Sequence, residues 1–108
     1  LSWDTRYLLV LERAFNPWTG MKLRLFLADT HSGSNVLDVA ALQAGAYQPM
    51  RKKLLLDFTD SSLRPLDNIE GMSWGPLLSN GRRSLVFVTD NNFSRLQLTQ
   101  LSAFEVIL

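Results

Sequence analysis

The chain has 108 residues, 46% of them hydrophobic and 19% charged, with a formal net charge of +1. That length suits one domain or a piece of one, and the near-balanced charge leaves no basic footprint for nucleic acid. The absence of cysteine excludes a disulfide framework and a thiolate metal site, and no apolar run is long enough to span a bilayer.

The chain opens at Leu1 rather than at a methionine and shows no secretory leader, so we expect an upstream segment to have been removed. Residues Arg6 to Glu12 are β-prone and continuously apolar in the middle, which suits a strand covered on both faces. Asn16-Pro17 and Thr19-Gly20 mark a turn. Met21 to Asp29 then alternates, with Met21, Leu23, Leu25 and Leu27 on one face and Lys22, Arg24 and Phe26 on the other. The two stretches read as a hairpin. Ser34 is placed to cap a short helix over Val36 to Ala44, with Gly45 as its stop, although Val36 and Val39 fit a short strand and loop equally well.

Lys52 to Phe58 is the next strand, and its lead Arg51, Lys52 and Lys53 reads as a solvated edge that discourages unwanted pairing. Ile69 to Trp74 is a short strand, followed by two turn signals, Gly75-Pro76 and Asn80-Gly81. Ser84 to Thr89 is the most β-prone run. Thr99 to Leu108 is the last strand, with Leu101, Ala103 and Glu105 opposed to Ser102, Phe104 and Val106.

An internal repeat underlies this order. Arg6, Leu8, Leu9 and Val10 match Arg83, Leu85, Val86 and Phe87; after a one-residue slip, Phe15 matches Phe93, Leu23 matches Leu101 and Phe26 matches Phe104. The second hairpin is preceded by the Ile69–Trp74 strand, and the first is expected to lack that leading strand. Recurring short antiparallel strands fit the blades of a β-propeller, each taking roughly 40–50 residues in a ring of at least ~4. The fold class expected is therefore all-β, antiparallel sheets forming two partial blades (1–58 and 59–108) of a propeller fragment within a single domain. Open blade faces lead us to expect self-association of the isolated chain.

Several short motifs then occur in a fixed order. They are Leu11-Glu12-Arg13-Ala14-Phe15-Asn16-Pro17 with Gly20, Leu54-Leu55-Leu56-Asp57, Asp67-Asn68-Ile69-Glu70-Gly71-Met72, Gly81-Arg82-Arg83-Ser84-Leu85, Asp90-Asn91-Asn92-Phe93 and Thr99-Gln100. This order resembles the C-terminal portion of the phytase-like family, also called the esterase-like activity of phytase family. The resemblance implies a β-propeller on extracytoplasmic (periplasmic or secreted) bacterial proteins, and phosphoester hydrolysis assisted by Ca²⁺ on a small-molecule substrate. Members are several times longer than this chain, so ligands supplied by other blades are absent and the isolated chain is expected to be inactive.

Glu70 follows Asn68 at a strand start and precedes Gly71, which admits close approach of backbone or ligand. A carboxylate there is a hard oxygen ligand for Ca²⁺ or an acid/base group; the alternative is a glutamate bonding turn amides. Asp90, Asn91 and Asn92 end a strand and suit Ca²⁺ or substrate, or equally a tight turn. Arg13 is suited to hold a phosphate by paired hydrogen bonds with Glu12 orienting it, against an ordinary ion pair. The site expected thus comprises Glu70, Arg13 and Glu12 as catalytic groups, Asn91 and Asn92 with Arg13 on substrate, and Glu70 with Asp90 on the metal.

His31, the one histidine, reads as a solvated loop residue. No Gly-Lys-Ser/Thr phosphate loop and no GxSxG elbow is present, which disfavours an elbow-type esterase. Trp3, Trp18 and Trp74 are expected to fill space between sheets, with a sugar or lipid cleft as the alternative. A non-catalytic binding or structural module is the rival functional reading.

Overall fold

Period-2 alternation becomes antiparallel sheet in both halves of the chain. The computed structural model describes residues 1–60, 68–90, 93, 95–96 and 99–107. Among these residues six strands form two three-stranded antiparallel sheets, neither closed on itself, and the only helical elements are two 3-10 turns. The chain divides into two compact units, Leu1–Asp60 and Ser61–Leu108.

In the first unit the order is β1 (Tyr7–Asn16), β2 (Gly20–Asp29), β3 (Arg51–Asp57). The expected hairpin is present, paired without interruption from Tyr7 opposite Asp29 to Asn16 opposite Gly20. Its turn is set by Asn16, whose side chain accepts the Trp18 N–H at 2.8 Å, and by Gly20 at φ +80°, a conformation costly to any residue with a Cβ. Leu9, Leu23, Leu25 and Ala28 are buried, and so is Phe58, which packs on β2 from the 3-10 turn after β3.

β3 pairs with β2 only from Arg24 to Asp29. Beyond Arg24 the hairpin therefore continues as a two-stranded ribbon. A bulge leaves Leu55 as the extra residue of β3, since Leu25 faces Leu56 while Phe26 faces Leu54. Arg51, Lys52 and Lys53 are exposed on this edge strand, as their sequence suggested.

Two expectations for this unit are corrected. No helix forms over 36–44; the segment is a run of turns, with Val39 N–H bonded to the Val36 carbonyl and Ala46 N–H to that of Gln43. Ser34 does not cap a helix but closes the loop: its Oγ accepts the Gln48 N–H at 2.7 Å, and its N–H donates to the Gln48 carbonyl. Leu37, Val39 and Leu42 stay exposed, so a helix there would have no apolar stripe to bury, and packing is what stabilises a helix this short. Trp18 fills no core, because the Asn16 turn holds it at the hairpin apex.

As expected, no strand precedes β1 among the described residues; Leu1 and Ser2 make only an isolated bridge beside it. Leu1 and Leu9 exchange both backbone bonds, at 2.7 and 3.0 Å, and Ser2 bridges antiparallel to Leu8. Asp4 makes the turn between them, its Oδ1 accepting the N–H groups of Arg6 and Tyr7, each at 2.7 Å.

In the second unit the order is β4 (Ile69–Leu77), β5 (Arg83–Thr89), β6 (Leu101–Glu105). Ile69, Leu85 and Phe87 are buried, and Phe104 meets Phe87 edge-on at 5.6 Å between ring centroids. The buried hydroxyls are bonded, Ser84 donating to the Pro76 carbonyl at 2.6 Å and Thr89 accepting the Gln100 N–H at 2.8 Å. Gly75-Pro76 is not a turn. β4 runs through it to Leu77 and the chain reverses at 78–82, because β4 is an edge strand, where proline's missing donor is tolerated. The last strand ends at Glu105 and starts at Leu101, shorter than the expected Thr99 to Leu108.

The two turns leading into β1 and β5 are alike. Asn80 Oδ1 accepts the Arg82 N–H at 3.0 Å, as Asp4 accepts that of Arg6. The hairpins that follow differ in register. Leu8 faces Ala28, whereas Leu85 faces Phe104, the residue matched in sequence to Phe26. The offset is two residues, which preserves the facing of every side chain.

Candidate functional site

Glu70 owes its setting to a bulge. Ile69 faces Thr89 and Gly71 faces Val88, so Glu70 is the extra residue of β4. Such bulges re-aim a side chain at a strand end. The glutamate is exposed, and the Asn68 side-chain amide donates to its Oε1. Gly71 permits the close approach inferred from its type, and the neighbour is Val88: a Cβ on Gly71 would lie 2.7 Å from Val88 Cγ1.

Asp90 follows the last residue of β5, and its N–H donates to the Asn68 carbonyl at 3.3 Å. Asn68, Glu70 and Asp90 therefore gather at one end of the β4–β5 pair. Asn68 is the member that sequence reasoning passed over; its position two residues before Glu70 was the available signal. Asn91 and Asn92 lie outside the described residues.

In the first unit, Glu12 and Arg13 are successive residues of β1 and point to opposite faces. The Glu12 carboxylate pairs with Lys52 Nζ of β3, and the same ammonium lies 4.4 Å from the centre of the Phe26 ring. Glu12 and Arg13 are both exposed. His31 is exposed in the 3-10 turn after β2, as expected of a solvated histidine.

Three ion-paired carboxylates outside the expected site are perturbed. Asp29 takes two bonds from the Arg6 guanidinium, at 2.8 and 2.7 Å, and one from the His31 N–H. Arg6 first, and then the His31 amide, hold it ionised down to about 2, while Asp29 raises the arginine in turn. The Asp57 carboxyl is lowered chiefly by the Thr59 hydroxyl and amide, with Arg24 at 3.3 Å adding to it. Glu105 is lowered by Arg82 at 2.9 Å and then by the Asn80 amide, at the end of its sheet opposite Glu70. These are exposed or half-exposed pairs that tie strand ends together.

The sequence profile of the phytase-like family, described as esterase-like activity of phytase, matches residues 1–93. The chain belongs to the phytase-like family. No curated protein and no solved structure matches it. All six expected site residues of this phytase-like chain fall inside the matched span, whereas Glu105 falls outside it.

Glu70, Asp90 and the Asn68 carbonyls are hard oxygen donors of the kind Ca²⁺ accepts. Among the described residues no three His, Asp or Glu side chains converge as a metal-binding group. The donors near Glu70 thus fit Ca²⁺ in chemistry and supply only part of the six to eight oxygens that it takes.

Proposed function

We propose that this chain is a fragment of a phytase-like β-propeller, contributing two partial blades (1–58 and 59–108), and that its parent hydrolyses phosphomonoesters or related esters with Ca²⁺. Family membership across all the candidate residues is the observation that supports this reading. Glu70 and Asp90 hold the cation, with Asn68 fixing the Glu70 carboxylate. Arg13 binds a phosphoryl oxygen pair with Glu12 orienting it, and Asn91 and Asn92 serve as substrate-binding amides. Bound Ca²⁺ would supply charge neutralisation at the phosphoryl oxygens. Other blades supply the remaining ligands, so the isolated chain is inactive, and the parent works in the periplasm or outside the cell.

Calorimetric titration of CaCl₂ into the chain tests the metal site: heat is expected for the native sequence and none for Glu70→Gln. Hydrolysis of p-nitrophenyl phosphate by the full-length parent, dependent on calcium and on Arg13, tests the activity. A parent that neither binds calcium nor hydrolyses the ester overturns the reading. A non-catalytic propeller module then takes its place, and the engagement of Glu12 by Lys52 favours that alternative.

A further inference from the structure

Asn80-Gly81 marks a turn, and it is also chemically singular in this chain. Asn80 is the one asparagine that precedes a glycine. Asn16 precedes a proline, which has no N–H, and Asn35 and Asn68 precede Val36 and Ile69, whose branched side chains crowd the next amide. Asn91 precedes Asn92, which precedes Phe93. A glycine nitrogen is open to attack on the adjoining side-chain amide, which makes Asn-Gly the pair most prone to lose ammonia. Both residues are exposed at the reversal between β4 and β5.

The closed turn engages the reacting atoms in other bonds. Gly81 N–H donates to the Leu78 carbonyl and Leu78 N–H to that of Arg82, each at 2.9 Å, with Gly81 at φ +82°. On the Asn80 side chain, Oδ1 accepts the Arg82 N–H at 3.0 Å and Nδ2 donates to Glu105 Oε1 at 2.5 Å. Ring closure needs the Gly81 nitrogen freed from Leu78 and the Asn80 amide swung away from β6, so the turn must first open locally. We propose that Asn80 is a self-deamidation site, latent while the β4–β5 turn is closed on Glu105 and released when it opens. The Gly81 nitrogen gives its proton to solvent and bonds to Asn80 Cγ, while Nδ2 takes up a proton and leaves as ammonia. Water then opens the cyclic imide to aspartate or isoaspartate. Aspartate sets a second carboxylate against Glu105 where a donor stood, and isoaspartate adds a backbone atom to the turn. Neither product restores the closed turn, so an opening event leaves a covalent record.

Incubation of the full chain at mildly alkaline pH, with and without urea, tests it by mass spectrometry of the peptide that carries Asn80. In urea Asn80 should gain one mass unit at least fivefold faster than in the folded chain, and ahead of the other asparagines. Glu105→Ala, held well below its thermal melt, should speed the folded reaction at least twofold and leave the rate in urea unchanged. Glu105→Gln, which keeps an acceptor oxygen for Nδ2, should return most of the protection. Asn80→Asp should lower the urea midpoint, and the deficit should shrink as acid protonates one of the two facing carboxylates. No reaction at Asn80 in urea, equal rates in folded and unfolded chains, or no response to Glu105→Ala overturns the proposal. So does an Asn80→Asp chain as stable as the native one, because the Glu105 contact would then not hold the turn.

Discussion

Gly71 lies directly under Val88, so close that a methyl group on it would stand 2.7 Å from Val88 Cγ1. The bulge that turns Glu70 outward depends on that approach, since it shifts the register at this point. Gly71→Ala should therefore cost roughly 1–3 kcal/mol through forced displacement of β4 from β5. Urea denaturation measures it. Val88→Ala in the same chain should restore part of the loss, because the atom in the way is then gone.

Phe87 is the best-buried large side chain of its sheet, at 1% exposure, and it also meets Phe104 edge-on. Truncation to alanine should cost about 3–5 kcal/mol. Phe104→Ala, at a half-buried position, should cost less. Equal losses in chemical denaturation would contradict the packing described.

Asp29 makes stability depend on pH in a defined direction. Its folded pKa of about 2 lies below its ordinary 3.8, so the ionised form favours the fold. That contribution is complete above 3.8 and fades as pH falls toward about 2. Asp29→Asn should lower the urea midpoint at pH 6 and flatten its fall on the acid side. An unchanged acid limb in the variant would show that Arg6 does not act through this carboxylate.

Sheet edges differ in how well they are guarded. β3 carries Arg51, Lys52 and Lys53, β4 carries bulges and Pro76, and β1 is partly covered by Leu1 and Ser2. Among the described residues β6 has no comparable device, and Leu101 on it is 76% exposed. If the isolated chain self-associates, it should do so through β6. Light scattering at rising concentration should then show dimers or larger species, and Ala103→Lys should return them to monomer.

The strands were legible where alternation is unbroken. Leu23 and Leu25 predicted the buried face of β2, and the Asn16 to Gly20 turn followed from residue type. Pro76 misled because a Gly-Pro pair marks a turn in most settings, whereas an edge strand admits it, and strand order is not written locally. Ser34 looked like a helix cap because capping and loop closure use the same hydroxyl; only Gln48, far along the chain, decides between them. The same limit governs the site. Glu70 was identifiable as a carboxylate before a glycine, but its outward setting arises from a register shift against Val88. Glu105 gave no sign at all, since Asn80 and Arg82 reach it only once β6 lies beside β5.

The reciprocal bonds between Leu1 and Leu9 make one amide unusual. The Leu9 N–H points away from β2, and its acceptor is the Leu1 carbonyl. Its deuterium uptake therefore reports fraying of the first few residues, while the amides of Leu8 and Val10 report opening of the hairpin. Adjacent positions on one strand would thus clock two separate motions.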